Sequence, residues 1–102
     1  MEQAARKEAV SAAFAKRGGK IRRETPANGK AFTDEEINEL LNTKDYAVAL
    51  PENSDVVVCY DRDASKDEFN KTASLFADMP IYGDALLCKV YYTQRWLDLE
   101  NE

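Results

Sequence analysis

Val56-Val57-Val58-Cys59-Tyr60 sets five apolar residues in a row, with Asp55 before them and Asp61 after them. No polar side chain interrupts the run at alternate positions, so it predicts an interior strand covered at least in part on both faces. Just upstream, Tyr46, Val48 and Leu50 alternate with Ala47 and Ala49, which is strand periodicity. Pro51-Glu52-Asn53-Ser54 between the two runs has the length and composition of a hairpin loop.

Downstream, Ser65-Lys66-Asp67-Glu68 reads as a capping box, in which hydroxyl and carboxylate satisfy each other's main-chain N–H groups. It predicts a helix with Phe69, Ala73 and Phe76 on one side, ended by Met79-Pro80. A last strand is expected from about Asp84 to Tyr92, with Leu86, Cys88, Val90 and Tyr92 on one face and Leu87, Lys89 and Tyr91 on the other. Arg95-Trp96-Leu97-Asp98-Leu99 is a partly apolar tail expected to pack back on the body.

Toward the N-terminus, Thr33-Asp34-Glu35-Glu36 is another capping box, opening a short helix with Ile37, Leu40 and Leu41 inward and its end near Asn42. Pro26-Ala27-Asn28-Gly29 is turn chemistry. Before it, the alanine-rich residues 3–17 predict a helix with Val10, Ala13 and Phe14 on one side, stopped by Gly18-Gly19. Lys20 to Thr25 reads as short and extended. The fold class is α+β: a small, mainly antiparallel sheet of about three to four strands with two helices packed on it, preceded by an N-terminal helix. Residues 1–27 read as a basic helical arm, and residues 28–102 as an acidic domain expected to fold without it.

Charge supports that division. Residues 1–30 hold eight Lys or Arg and three Glu, a net of +5; residues 31–102 hold six basic and sixteen acidic residues, a net of −10. Such asymmetry suits an interaction arm on a compact body, although the arm can equally lie against its own acidic partner. Lys16, Arg17, Lys20, Arg22 and Arg23 are the candidate nucleic-acid contacts of the arm. Asp34, Glu35 and Glu39 are the most clustered acids of the body and the candidate acidic partner-binding surface. Tyr91 and Trp96, with Leu87, form a candidate aromatic patch, since Tyr and Trp are enriched at protein interfaces.

Composition excludes much chemistry. The 102 residues include no histidine, so Ser-His-Asp and Cys-His catalysis are ruled out within the chain, and the commonest zinc ligand is missing. Cys59 and Cys88 each sit in an apolar run and read as reduced, buried thiols, with a bridge between adjacent strands as the alternative. Asp61, Asp63, Ser65 and Asp67 stand at positions one, three, five and seven of a calcium-loop pattern, but Lys66 replaces its glycine and Thr72 its bidentate Glu. Gly18-Gly19-Lys20 lacks the first glycine and the final Ser or Thr of a phosphate loop. No cofactor, metal or catalytic set is expected. The longest apolar run, about five residues, is too short to cross a membrane, and no hydrophobic signal region follows Met1. A cytoplasmic protein is expected.

Three stretches together resemble a family of uncharacterised small proteins carried by bacteriophages and other mobile elements. Gly29-Lys30-Ala31-Phe32-Thr33-Asp34-Glu35-Glu36-Ile37 is similar to that family's Gly-x-x-Phe-Thr-x-x-Glu-Leu. Asn70-Lys71-Thr72-Ala73-Ser74-Leu75-Phe76 is similar to its Asn-x-x-Ala-Thr-x-Leu, and Ile81-Tyr82-Gly83-Asp84-Ala85-Leu86-Leu87 to its Ile-x-Gly-Asp-x-Leu-Val. The resemblance covers residues 29–90 and implies a setting rather than a mechanism. The expectation is a non-enzymatic accessory protein that binds a host protein or ribonucleoprotein, such as an inhibitor of restriction or CRISPR defence acting through an acidic surface. A small nucleic-acid-binding regulator using the basic arm is the alternative, and a homodimer is open to either.

Overall fold

The computed structural model describes residues 11–52 and 54–100, so the part of the expected N-terminal helix before Ser11 lies outside the described residues. Among the described residues five strands form one sheet: β1 (Ala12–Ala15), β2 (Ile21–Glu24), β3 (Ala47–Ala49), β4 (Val56–Tyr60) and β5 (Ala85–Lys89). Their order is β2-β1-β5-β4-β3 and every neighbouring pair is antiparallel. Three α-helices accompany them among the described residues: α1 (Asp34–Leu41), α2 (Lys71–Ala77) and α3 (Gln94–Glu100). The α+β class stands, with a wider sheet and one more body helix than the sequence suggested.

The first correction concerns the arm. Ala12–Ala15 is a strand between β2 and β5, not the end of a helix, and Gly18-Gly19 lies in a hairpin loop rather than at a helix stop. Lys16 N–H donates to the Lys20 carbonyl at 2.8 Å, and Gly19 adopts φ +95°, which glycine takes at little cost. Alanine's helix preference is only a few tenths of a kcal/mol per residue, and two flanking ladders plus burial of Phe14 (2% exposed) outweigh it. Residues 12–24 therefore belong to the body's own sheet instead of forming a separate helical arm.

Val56–Tyr60 lies between β3 and β5, the interior position its apolar run required. The register separates the two faces of the sheet cleanly. Phe14, Val57, Cys59, Leu86 and Cys88 point to one face, where Phe32 and the Ile37 and Leu41 side chains of α1 cover them. Ala15, Ala49, Val58, Ala85 and Leu87 point to the other, under Ala73 and Ala77 of α2 and under Ile81. The small side chains of this second layer let helix and sheet approach closely.

The capping boxes behave differently. Thr33 Oγ1 accepts from Glu36 N–H at 3.1 Å, but the Glu36 carboxylate accepts from Ala27 N–H at 3.0 Å, tying the Pro26–Gly29 turn to α1. Ser65 opens only a 3-10 turn, Lys66–Glu68, and α2 begins later, with the Asn70 side chain accepting from Ala73 N–H at 3.0 Å. Asn70 N–H donates to the Ile81 carbonyl and Gly83 N–H to the Glu68 carbonyl, at 2.8 and 2.7 Å. That bridge uses main-chain groups a continuous helix would need, so Phe69 stays outside the helix and half exposed. The last strand likewise ends at Lys89; Val90–Tyr92 is a 3-10 turn leading into α3.

Candidate functional site

α2 leaves part of the second sheet face uncovered. The uncovered part is a groove of about 600 Å³ whose lining includes Ala13, Ile21, Val56, Phe76 and Leu87, with Arg23 and Lys89 also contributing. It exists because α2 starts at Lys71: Ala73 and Ala77, four apart, then face the sheet, leaving Leu75 and Phe76 outward at 74% and 56% exposure. Ile21 is 57% exposed because β2 is an edge strand. Sequence reading missed this surface by starting the helix at Ser65; the Ala73–Ala77 spacing after a capping Asn was the available signal. Lys89 is held by Asp55, with Nζ–O distances of 3.2 and 3.3 Å, and this hydrogen bond raises the Lys89 pKa. No carboxylate among the described residues lies within ion-pair distance of Arg23.

The other basic candidates are dispersed by the hairpin. Arg22 and Arg23, adjacent on β2, point to opposite faces; Arg22 pairs with Glu24 and stacks 4.7 Å from the Phe14 ring centroid. At the hairpin tip, Lys16, Arg17 and Lys20 border a depression shared with Asp61, Asp63, Glu68 and Asp84. Arg17 closes it with an ion pair to Glu68 at 2.8 Å and a main-chain N–H to Asp84 at 3.0 Å. At its tip, the basic segment therefore lies against the protein's own acids.

The three acidic candidates also separate. Asp34 accepts from the Tyr46 hydroxyl at 2.6 Å and from Arg95 Nε at 3.1 Å, while the Arg95 guanidinium sits 4.9 Å from the Tyr46 ring centroid. This knot joins α1, the residue before β3, and α3; burial and the bond to Asp34 push the Tyr46 phenol well above its usual range. Glu35 and Glu39 remain exposed, one turn apart on the outer face of α1 beside Ala27 and Asn28.

Nor do the aromatic candidates form one patch with Leu87. Leu87 is 6% exposed and packs in the α2 layer, on the opposite face. Tyr91 lies edge-on to Tyr92 with ring centroids 5.4 Å apart. Trp96 instead lines a smaller groove of about 210 Å³ with Tyr46, Val48, Leu50, Arg95 and Leu99. Cys59 and Cys88 are free and buried; the neighbouring Cys88 thiol, followed by burial, raises the Cys59 pKa and keeps it a thiol. Asp61 Oδ1 accepts from Asp63 N–H at 3.0 Å and from the Thr43 hydroxyl at 3.2 Å, so the aspartate string acts as loop capping. No group of three or more acidic or thiol side chains among the described residues is arranged to hold a metal ion, and no described helix is long and apolar enough to cross a membrane.

Comparison with protein-family models, with curated proteins and with solved structures returned no match.

Proposed function

We propose that this is a non-enzymatic binding protein that takes a segment of another protein, apolar with carboxylate side chains, in the groove between α2 and β2. One observation carries the reading: Ile21 and Phe76 stand exposed around the open part of an apolar sheet face, with Arg23 at the rim free of any described carboxylate partner. Exposed apolar residues gathered around a concavity mark interaction sites more often than ordinary surface, and a rim cation selects an acidic neighbour. The resemblance to proteins of phages and mobile elements supplies a setting in which that partner is a host protein.

A second reading keeps the acidic surface. Glu35 and Glu39, exposed on one face of α1 in a region of net charge −10, would enter a basic site of the partner, while Asp34 is committed to Arg95. The nucleic-acid alternative is less favoured, because Arg17 and Arg22 are paired within the chain and Arg22 and Arg23 face opposite ways.

The test is selection of random displayed peptides by the whole chain. Apolar, acidic peptides are expected, with binding weakened roughly ten-fold or more by Arg23→Glu or by Phe76→Ser. Selected binding that ignores both changes but falls with Glu35→Lys and Glu39→Lys would move the function to the acidic face. Duplex binding with a log–log salt slope near roughly −4 would overturn both in favour of the basic hairpin.

A further inference from the structure

The two thiols of the core, Cys59 and Cys88, play no part in the proposed function. The β4–β5 register sets Cys59 opposite Leu86 and Cys88 opposite Val57, so both thiols project onto the α1 face one diagonal step apart. Diagonal neighbours stand roughly 7–8 Å apart between Cα atoms, beyond the ~4.4–6.8 Å that a disulfide spans. The register therefore does not suit the cross-strand bridge that the sequence left open, and both thiols are free. The Cys88 thiol is still near enough to be the largest influence raising the Cys59 pKa. A separation too wide for a sulfur–sulfur bond is one that an atom inserted between the sulfurs can fill. A linear sulfur–metal–sulfur unit spans ~4.5 Å, twice a bond of roughly 2.3 Å.

We propose that Cys59 and Cys88 together form a two-coordinate site for a soft monovalent metal ion, Cu(I). Thiolate sulfur selects soft ions over the hard cations that take oxygen ligands, and a monovalent ion with a filled d shell accepts two ligands in line. Zinc is excluded by ligand number. It takes four protein ligands in structural sites and three in catalytic ones, and no third acidic or thiol side chain among the described residues completes such a set. Cys59, fully buried in the core, also lines the smaller groove beside Trp96, where Leu50 and Leu99 stand 67% and 63% exposed, and that groove is the way in. Binding breaks two S–H bonds and forms two sulfur–copper bonds. Two protons pass to solvent, and copper stays Cu(I) throughout. The resulting unit carries one negative charge. Arg95 of α3 is the cation that acts on Cys59, Asp34 of α1 is the opposing carboxylate already bonded to that arginine, and the Tyr46 phenol is a further titratable neighbour. Arg95 thus offsets part of the charge that the core takes on.

Anaerobic titration of the full, reduced chain with Cu(I) against a coloured Cu(I) chelator tests the site. One ion per chain is expected, with ultraviolet absorption from the sulfur–copper bonds. Cys59→Ser and Cys88→Ser should each weaken binding roughly hundred-fold or more, because a single thiolate holds the ion poorly. Since two protons leave, affinity should rise about a hundred-fold per pH unit between about pH 6 and about pH 8. Cu(I) should raise the thermal midpoint, as any ion held only by the native protein does, and zinc should leave it unchanged. Circular dichroism verifies that each variant folds, and Cys59→Ala with Cys88→Ala replace the serine variants if a core hydroxyl prevents folding. Uptake no greater than that of a variant lacking both thiols overturns the inference. So does uptake indifferent to either single substitution, or a thermal midpoint lowered by Cu(I) because the unfolded chain captures the ion.

Discussion

The side-chain amide of Asn70 donates to the main-chain carbonyl of Ala15 at 2.9 Å, across 55 positions of sequence. The same nitrogen donates to the Gly83 carbonyl at 2.8 Å, and the side-chain oxygen caps α2 at Ala73 N–H. With 1% of its surface exposed, Asn70 fastens the end of β1, the approach to β5 and the start of α2 at one point.

Asn70→Asp keeps the capping oxygen but loses the donor and turns a buried carboxylate toward two carbonyl oxygens. Asn70→Ala removes a hydrogen-bond partner from three main-chain groups. Each is expected to cost about 2–4 kcal/mol, with Asp at least as damaging as Ala at neutral pH. Urea denaturation measures both. A loss below about 1 kcal/mol for either would mean water replaces the side chain without penalty.

Removal of residues 1–24 is expected to abolish cooperative unfolding of the remainder, contrary to the expectation that residues 28–102 fold alone. The deletion takes β1 and β2, exposes the long edge of β5, and empties the place of Phe14 beside Phe32 and Leu86. In the whole chain, Phe14→Ala should cost about 3–5 kcal/mol through the cavity it leaves. A sharp thermal transition in the truncated protein, with native circular dichroism, would restore the separable domain.

Tyr46 makes stability fall at high pH. Its phenol, buried and bonded to Asp34, has a pKa raised above the usual 10.0, so above that pH the unfolded chain releases a proton that the native protein retains. The unfolded state then binds fewer protons, and stability declines as pH rises; below about pH 9 both states are protonated and the contribution is constant. Denaturation midpoints measured from about pH 8 to about pH 11 should fall more steeply for wild type than for Tyr46→Phe. That variant should also be less stable at pH 7, by about 1.5–3 kcal/mol for the lost bond to a carboxylate. Parallel curves would remove Tyr46 from the pH response.

The sequence by itself determined β3 and its hairpin with β4, α1 and the apolar half of β5. Each is specified within its own span: five apolar residues for β4, the Thr33 cap with Ile37 and Leu41 for α1, and Leu86 with Cys88 alternating against Leu87 for β5. Tertiary structure alone decided the rest. Ala12–Ala15 has no local reason to be a strand; it becomes one because β5 offers a free ladder and the core a place for Phe14. Ser65 and Asn70 both offer helix caps, and only the bridge between Phe69 and Tyr82, far apart in local signal, selects the second. The candidate groove follows from that choice, since exposure of Ile21 and Phe76 depends on where α2 stops covering the sheet. Caps and short apolar runs act over a few neighbouring residues, whereas face coverage and strand order depend on contacts between segments that sequence periodicity treats as independent.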